Sequence, residues 1–522
     1  YWHRYGPYPL VKDELTVTAA GKNKNEILVT FRGKKMVPIK WDKIKQESIK
    51  ISLIRVIYNA LPRQTKAVIY LFMHLVKSLP IILKNKKNII IPNSEICFID
   101  VLAHLDKKTY DTNTFISNYW TKLTDVISRM GIKTTWVHNY FYQESIPSMQ
   151  EALKLLTSIN HHNKDGQFHI LLDANISISV LIKALRDYCK IYIISLGLSG
   201  LRRKFKLSNS CCDFWQLLKD DWIDSVKGKC AMMNCLTLSL FEKTFSLIPY
   251  QKIGVYIQEN QPWEMALNYA WKSAGHGKLI GTPHTTVRFW DLRYFYDFRS
   301  YRQSDCNALP IPDLVAVNGP VAEQQYTQAG YPVKRIVQVE ALRFLHLREK
   351  SRVSLPRESR NSSLKVLICG DFLAKTNSKM LSWLSVAAKS LPLNAMYTLK
   401  PHPAYPVKSY EHFSVPIEIT NAPLSELLTF CDVVFTSNIT SAAVDAYCSG
   451  VPVIQMLDGN SLNSSPLRHV DGVIYATNPG ELSDALINVS SLRKMNVKPY
   501  FFLDEKLSLW CNLLGIEDTE FR

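Results

Sequence analysis

The chain has 522 residues, 47% of them hydrophobic and 21% charged, which is length and apolar content for about two to four domains, and neither a low-complexity tract nor a solenoid repeat is visible in it. Its 63 Lys and Arg against 45 Asp and Glu give a net charge of +18, a balance that suits anionic lipid, phosphorylated substrates or nucleic acid without choosing among them. Eleven scattered cysteines, with no CxxC pair and no zinc-type His/Cys spacing, predict free thiols in a reducing compartment.

In chain order, residues 1–95 read as an extension. Short strand-like runs such as "NEILVTF" come first. Between Glu47 and Glu95 there is no acidic residue, while Lys50, Arg55, Arg63, Lys66, Lys77, Lys84, Lys86 and Lys87 alternate with apolar runs. This predicts basic amphipathic helices that lie on an anionic membrane surface. The apolar run 67–83 carries His74, Lys77 and Pro80 and is read as not spanning.

Residues 96–345 alternate strands and helices. "ICFIDVLAHL" is strand-like, "NYWTKLTDVISRMG" a helix ending at Gly131, and "KTTWVHNYF" a strand; "FHILLDAN", "VLIKALRDYC" and "KIYIISLGL" repeat strand, helix, strand. Residues 252–284 form the most legible βαβ unit: a strand to Glu259, Asn260 as cap, Pro262 in the first turn, a glycine stop at 275 and a strand over 278–282. The polar, Ser- and Arg-rich run around 340–363 reads as a linker. A second α/β series fills 346–492, and the helix "EKLSLWCNLLGI" in 493–522 is placed back toward the cleft. The expected fold is therefore α/β, with two Rossmann-like doubly wound domains facing a cleft.

Ligands of such sheets bind beyond the carboxyl ends of the strands. Three segments of the second half leave such ends: "GDF" with Gly370 and Asp371, "KPHP" with Lys400, His402 and Pro403, and "SNITSAA" with Thr440 and Ser441. The last opens a helix, where free N–H groups and the helix dipole favour a phosphate. Lys400 and His402 are placed to donate to the same phosphate, and Asp445 to accept from a ribose hydroxyl. Across the cleft, Glu259 at its strand end is the expected base or nucleophile, with Asp100 in reserve. His284 shares that edge, and Arg288, Asp291 and Arg293 are candidate binders of an acidic sugar.

"DAYCSGVPVI" (445–454) resembles the acidic-Ala-x-x-x-Gly-x-Pro-Val pattern of GT-B glycosyltransferases. His402-Pro403 together with Thr440-Ser441 is similar to the "HP" and Ser/Thr motifs of the bacterial GT-B sialyl-, polysialyl- and Kdo-transferases, and 252–297 resembles bacterial surface-carbohydrate biosynthesis proteins. The resemblance implies transfer of a 3-deoxy-ulosonic or nonulosonic acid from a CMP-activated donor to a glycan or lipid-linked acceptor. It implies no cofactor beyond the nucleotide sugar, and a place at the inner face of the bacterial cytoplasmic membrane. His402 would then assist the departing phosphate and Lys400 offset its charge. Thr-Ser stands where the sialyltransferases carry Ser-Ser. A CDP-glycerol-type glycerophosphotransferase and a non-catalytic glycan- or lipid-binding subunit remain alternatives. No DxD or Walker pattern occurs, so no metal site is expected, and "RRKFK" (202–206) stands without an RNA-binding module, so no nucleic-acid partner is expected.

Overall fold

Short β-branched runs separated by helix-length segments produce two parallel sheets, each wrapped by helices. The computed structural model describes residues 58–516 apart from 85–90, 104, 163–165, 206–212, 289–290, 295–296, 298–300, 302–307, 349–362, 392–394, 404, 406–414, 460–461, 469 and 490–497. It also describes the backbone of an antiparallel sheet in which 15–18 pairs with 26–31, the strand expected in "NEILVTF". The expected linker lies mostly outside the described residues, as does the basic segment before residue 58.

The first domain carries β1 (Ile96–Val101), β2 (Thr134–Asn139), β3 (Gln167–Leu171), β4 (Ile253–Ile257), β5 (Lys278–Thr282), β6 (Leu314–Val317) and β7 (Ile336–Gln338), in the order β7-β6-β5-β4-β1-β2-β3. The pairs within it are parallel. One face is covered by α1 (Arg63–Lys84), α2 (Ile178–Leu196) and α4 (Lys229–Leu247), with α3 (Trp215–Lys227) against all three. Here "KIYIISLGL" departs from expectation: it is the second half of α2, because Tyr188 and Ser195 continue the buried helical stripe begun by Val180 and Ala184. The other face buries an aromatic cluster in which Phe98 stacks on Trp136 at 4.4 Å and meets Trp120 edge-on at 4.9 Å. Truncating such a buried aromatic side chain costs about 3–5 kcal/mol.

The second domain carries β8 (Lys365–Cys369), β9 (Met396–Lys400), β10 (Ile417–Ile419), β11 (Val433–Ser437), β12 (Val453–Met456) and β13 (Val473–Ala476), ordered β10-β9-β8-β11-β12-β13. Both sheets thus share the doubly wound order, with sequential strands running outward in opposite directions from a central pair. The chain then returns to the first domain. Phe502 N–H donates to Asn318 O and Ala341 N–H to Phe502 O. The last helix (Ser508–Leu514) sinks Trp510 into the aromatic cluster, where Glu340 accepts from Leu509 N and Trp510 N. The C-terminal helix, expected to lie toward the cleft, packs against the aromatic core of the first domain.

Candidate active site

In a doubly wound sheet the crevice opens where the strand order reverses, because the two loops there leave in opposite directions. That point lies between β1 and β4 in the first domain and between β8 and β11 in the second.

In the first domain β4 stops at Ile257, so Glu259 belongs to a loop and not to the strand end. Pro262 opens the helix α5 (Pro262–Ser273), and the cap is Gln261 in place of Asn260. Asn260 instead takes a left-handed conformation, φ 55°. Buried Glu264 holds this loop, its carboxylate accepting from the backbone N–H of Glu259 (2.8 Å), Asn260 (3.0 Å) and Gln261 (2.8 Å). Hydrogen bonds to a charged group contribute about 1.5–3 kcal/mol each, enough together to offset the roughly 1–3 kcal/mol of an αL residue other than glycine. Burial raises the Glu264 carboxyl, while the three N–H donors favour its charged form and pull the other way.

Because Glu264 caps the helix, the Glu259 carboxylate is released from that task. It is 40% exposed and lies 3.7 Å from His284 Nε2. His284, two residues beyond β5, meets the Tyr119 ring edge-on at 4.4 Å. Burial pushes the Tyr119 hydroxyl up to about 12, against the pull of Arg343, whose guanidinium sits 5.3 Å over the Tyr119 ring. Glu259, His284 and Tyr119 line a groove of about 700 Å³ that also touches Tyr70 and His74 of α1, Asp224 of α3 and Asn234 of α4.

Asp100 does not join them. It is buried, with Oδ1 2.5 Å from His138 Nδ1 and Oδ2 accepting from Trp120 Nε1 at 3.1 Å; His138 Nε2 lies 3.0 Å from His169 Nδ1. The register explains this, since Asp100 pairs with His138 and His169 lies beside Trp136, two residues before His138, which turns all three side chains to the aromatic face. Asp100 is thus a core carboxylate that orients Trp120, and the reserve role as base is corrected. Asp291 and Arg293 form a bidentate pair at 2.8 and 2.6 Å, so they satisfy each other and are not free to grip an acidic sugar. Arg288 is exposed.

In the second domain Cys369 pairs with both Lys400 and Thr436, so the loops at 370, 401 and 438 emerge together. The fit at Gly370 is close: a Cβ would stand 3.1 Å from His402 N and 3.3 Å from Asn377 Oδ1. His402 is partly exposed, 6.2 Å from the Phe372 ring, and its carbonyl accepts from Tyr405 N in a tight turn around Pro403.

Two expectations change at this end. Lys400 Nζ donates to Ala422 O at 2.6 Å, so one of its donors braces a neighbouring loop. Asp371 is buried, with Oδ1 accepting from Leu373 N (2.8 Å) and Oδ2 from Ser437 Oγ (2.5 Å), and it ties β8 to β11. Thr440 and Ser441 precede a helix of seven residues, Ala442–Cys448, and Thr440 Oγ1 accepts from Ala442 N. Burial pushes Asp445 up to about 7, against the pull of Arg343, and its Oδ1 has no hydrogen-bond partner among the described residues. Arg343 therefore acts on Tyr119 in one domain and Asp445 in the other.

Tyr119, Arg343 and Glu264 were not foreseen. Glu264 had a readable signal, a Glu three residues after a cap with Pro between them; Arg343 had none. Among the described residues no group of three or more His, Cys, Asp or Glu is placed to hold a metal.

No protein-family model matches the chain, and no curated protein sequence matches it. Solved structures with a partial likeness include CalG4, the calicheamicin glycosyltransferase, with TM-score 0.42 and 11% identity over 77% of this chain and 92% of that one. They include the UDP-GlcNAc 2-epimerase from Methanocaldococcus jannaschii, with TM-score 0.43 and 10% identity over 81% and 99%. The glycosyltransferase SnogD from Streptomyces nogalater gives 0.39 and 10% over 82% and 100%. At scores and identities this low the likenesses carry no weight below.

Proposed function

We propose that this chain is a metal-independent GT-B-type glycosyltransferase that moves a 3-deoxy-ulosonic or nonulosonic acid from a CMP-linked donor to a glycan or lipid-linked acceptor. The observation that carries the reading is the Glu259 carboxylate, freed by Glu264 and held beside His284 at the reversal point of one sheet. Glycine-closed, His402-bearing loops stand at the reversal point of the other. The acceptor hydroxyl would lie in the groove, and Glu259 would take its proton as the new glycosidic C–O bond forms. The bond from the anomeric carbon to the phosphate oxygen breaks with its electron pair, and CMP leaves. His402, the remaining Lys400 donors and the Thr440–Ser441 segment would meet the charge on that phosphate. Asp445 would receive a ribose hydroxyl.

The test is calorimetry with CMP, CDP, UDP and GDP without metal, followed by transfer assays. CMP binding tightest is expected; UDP clearly tighter than CMP would remove the ulosonic-acid reading, and CDP tightest would favour a glycerophosphate donor. Glu259→Gln is expected to leave CMP affinity intact and lower turnover by a factor on the order of a hundred or more. Wild-type turnover in that variant would make Glu259 structural. Work at the cytoplasmic membrane face belongs to the same reading. It is supported by α1, whose 63–82 stretch is long and apolar enough to cross a membrane by length and composition. Its buried face packs on α4, while Val68, Phe72, Val76 and Leu79 face outward.

A further inference from the structure

The helix α2 has two apolar faces. Val180, Ala184 and Tyr188 are buried in the same core that takes Ala67 of α1 and Cys97 and Ile99 of β1. On the opposite side Ile178, Ile182, Leu185, Cys189, Ile193 and Leu196 recur at intervals of three and four, which aligns them in one stripe along all five turns. The stripe is exposed, Ile178 to 76% and Ile193 to 65%. At 1.5 Å per residue it runs for about 28 Å. Isolated exposed apolar residues are ordinary, but a continuous stripe of this length marks a surface that something covers.

Charge indicates what covers it. Arg186 and Lys190 border the stripe, and the short 3₁₀ segment Ser199–Phe205 that follows α2 presents Arg202, Arg203 and Lys204 to solvent. Of the nearby acidic groups, Asp187 pairs with Lys183 and Asp220 with Arg63, while Asp213 just before α3 and Asp221 on it are exposed. A second copy of the chain docked on the stripe would bring Arg186 and Lys190 near their counterparts, whereas an anionic bilayer accepts the apolar side chains together with the cations. The outward stripes of α1 and α2 leave the sheet on the same side, since their buried faces share one core.

We propose that α2, with the basic segment after it, is a docking surface for an anionic lipid bilayer, which seats the first domain so that its groove opens beside the membrane. This deepens the lipid-linked acceptor reading and rests on it for its purpose, but its test does not depend on transfer. Full-length protein is floated with phosphatidylcholine vesicles and with vesicles containing added phosphatidylglycerol. Wild type is expected on the anionic vesicles only. Arg202→Ala/Arg203→Ala/Lys204→Ala should lower partitioning by about a hundredfold at low salt, given roughly a tenfold loss or less per basic residue. Ile182→Glu/Ile193→Glu should abolish it with an unchanged circular dichroism melt. Variants that float like wild type, equal flotation on neutral vesicles, or sedimentation showing that the Ile pair dissolves a dimer would each overturn the proposal. CMP calorimetry on the same preparations reads the donor site separately, so loss of CMP binding in wild type would sink the transferase reading and leave the flotation result standing.

Discussion

Replacing Glu264 by Gln tests whether the loop that presents Glu259 is held by a side chain that itself touches no substrate. The carboxylate receives three backbone N–H groups, two on Oε1 and one, from Asn260, on Oε2. Glutamine keeps one acceptor oxygen and turns an NH₂ group toward the N–H that loses its partner, so one bond disappears and two become neutral. At about 1.5–3 kcal/mol for a bond to a charged group and about 1 kcal/mol for a neutral one, the lost bond and the two weakened ones amount together to about 2.5–7 kcal/mol. In a domain of this size each kcal/mol moves the melting point by about 2–4 °C, so a fall of about 5–28 °C is expected by differential scanning calorimetry. With Asn260 no longer held at φ 55°, Glu259 loses its position beside His284. Turnover should then drop by about tenfold or more at unchanged CMP affinity. A melting point within a degree or so of wild type, or a loss of CMP affinity as large as the loss of turnover, would refute the reasoning.

Burial, and then His138, hold the His169 imidazole well below its ordinary range. Below about pH 6.5 the unfolded chain binds a proton that the folded chain refuses, so stability should fall by up to about 1.4 kcal/mol per pH unit as pH drops toward the folded value; thermal melts between pH 7.5 and 5 should show a shallower fall in His169→Gln, and parallel curves would count against it. Gly319 lies under the returning chain, where a Cβ would stand 2.2 Å from Tyr500 O; Gly319→Ala should cost about 1–3 kcal/mol or more and speed proteolytic cleavage near residue 500, and wild-type resistance would show that the return segment accommodates a methyl group.

Much of the architecture was legible because it rests on local pattern. Buried parallel strands demand runs such as "KVLIC" and "VVFTS", and Pro262 and Gly275 punctuate the helix between β4 and β5 through their own backbone constraints. The misreading of "KIYIISLGL" has a physical cause: a helix apolar on two faces shows the same continuous hydrophobicity as a buried strand, and only its neighbours decide. Site chemistry could be pointed to where a loop leaves a strand, as at His402 two residues past β9, whereas Glu259, expected at a strand end, lies in the loop after β4. It was misread where partners come from distant segments. Asp371 looked available until Ser437, 66 residues away, took its oxygen, and Asp100 looked like a base until strand pairing set it against His138. Composition and periodicity therefore determined that this chain folds as two doubly wound sheets with loops of chemical interest at their ends. Which carboxylates reach the groove was decided only by tertiary structure, because a side chain is free or spent according to groups that chain order does not bring together.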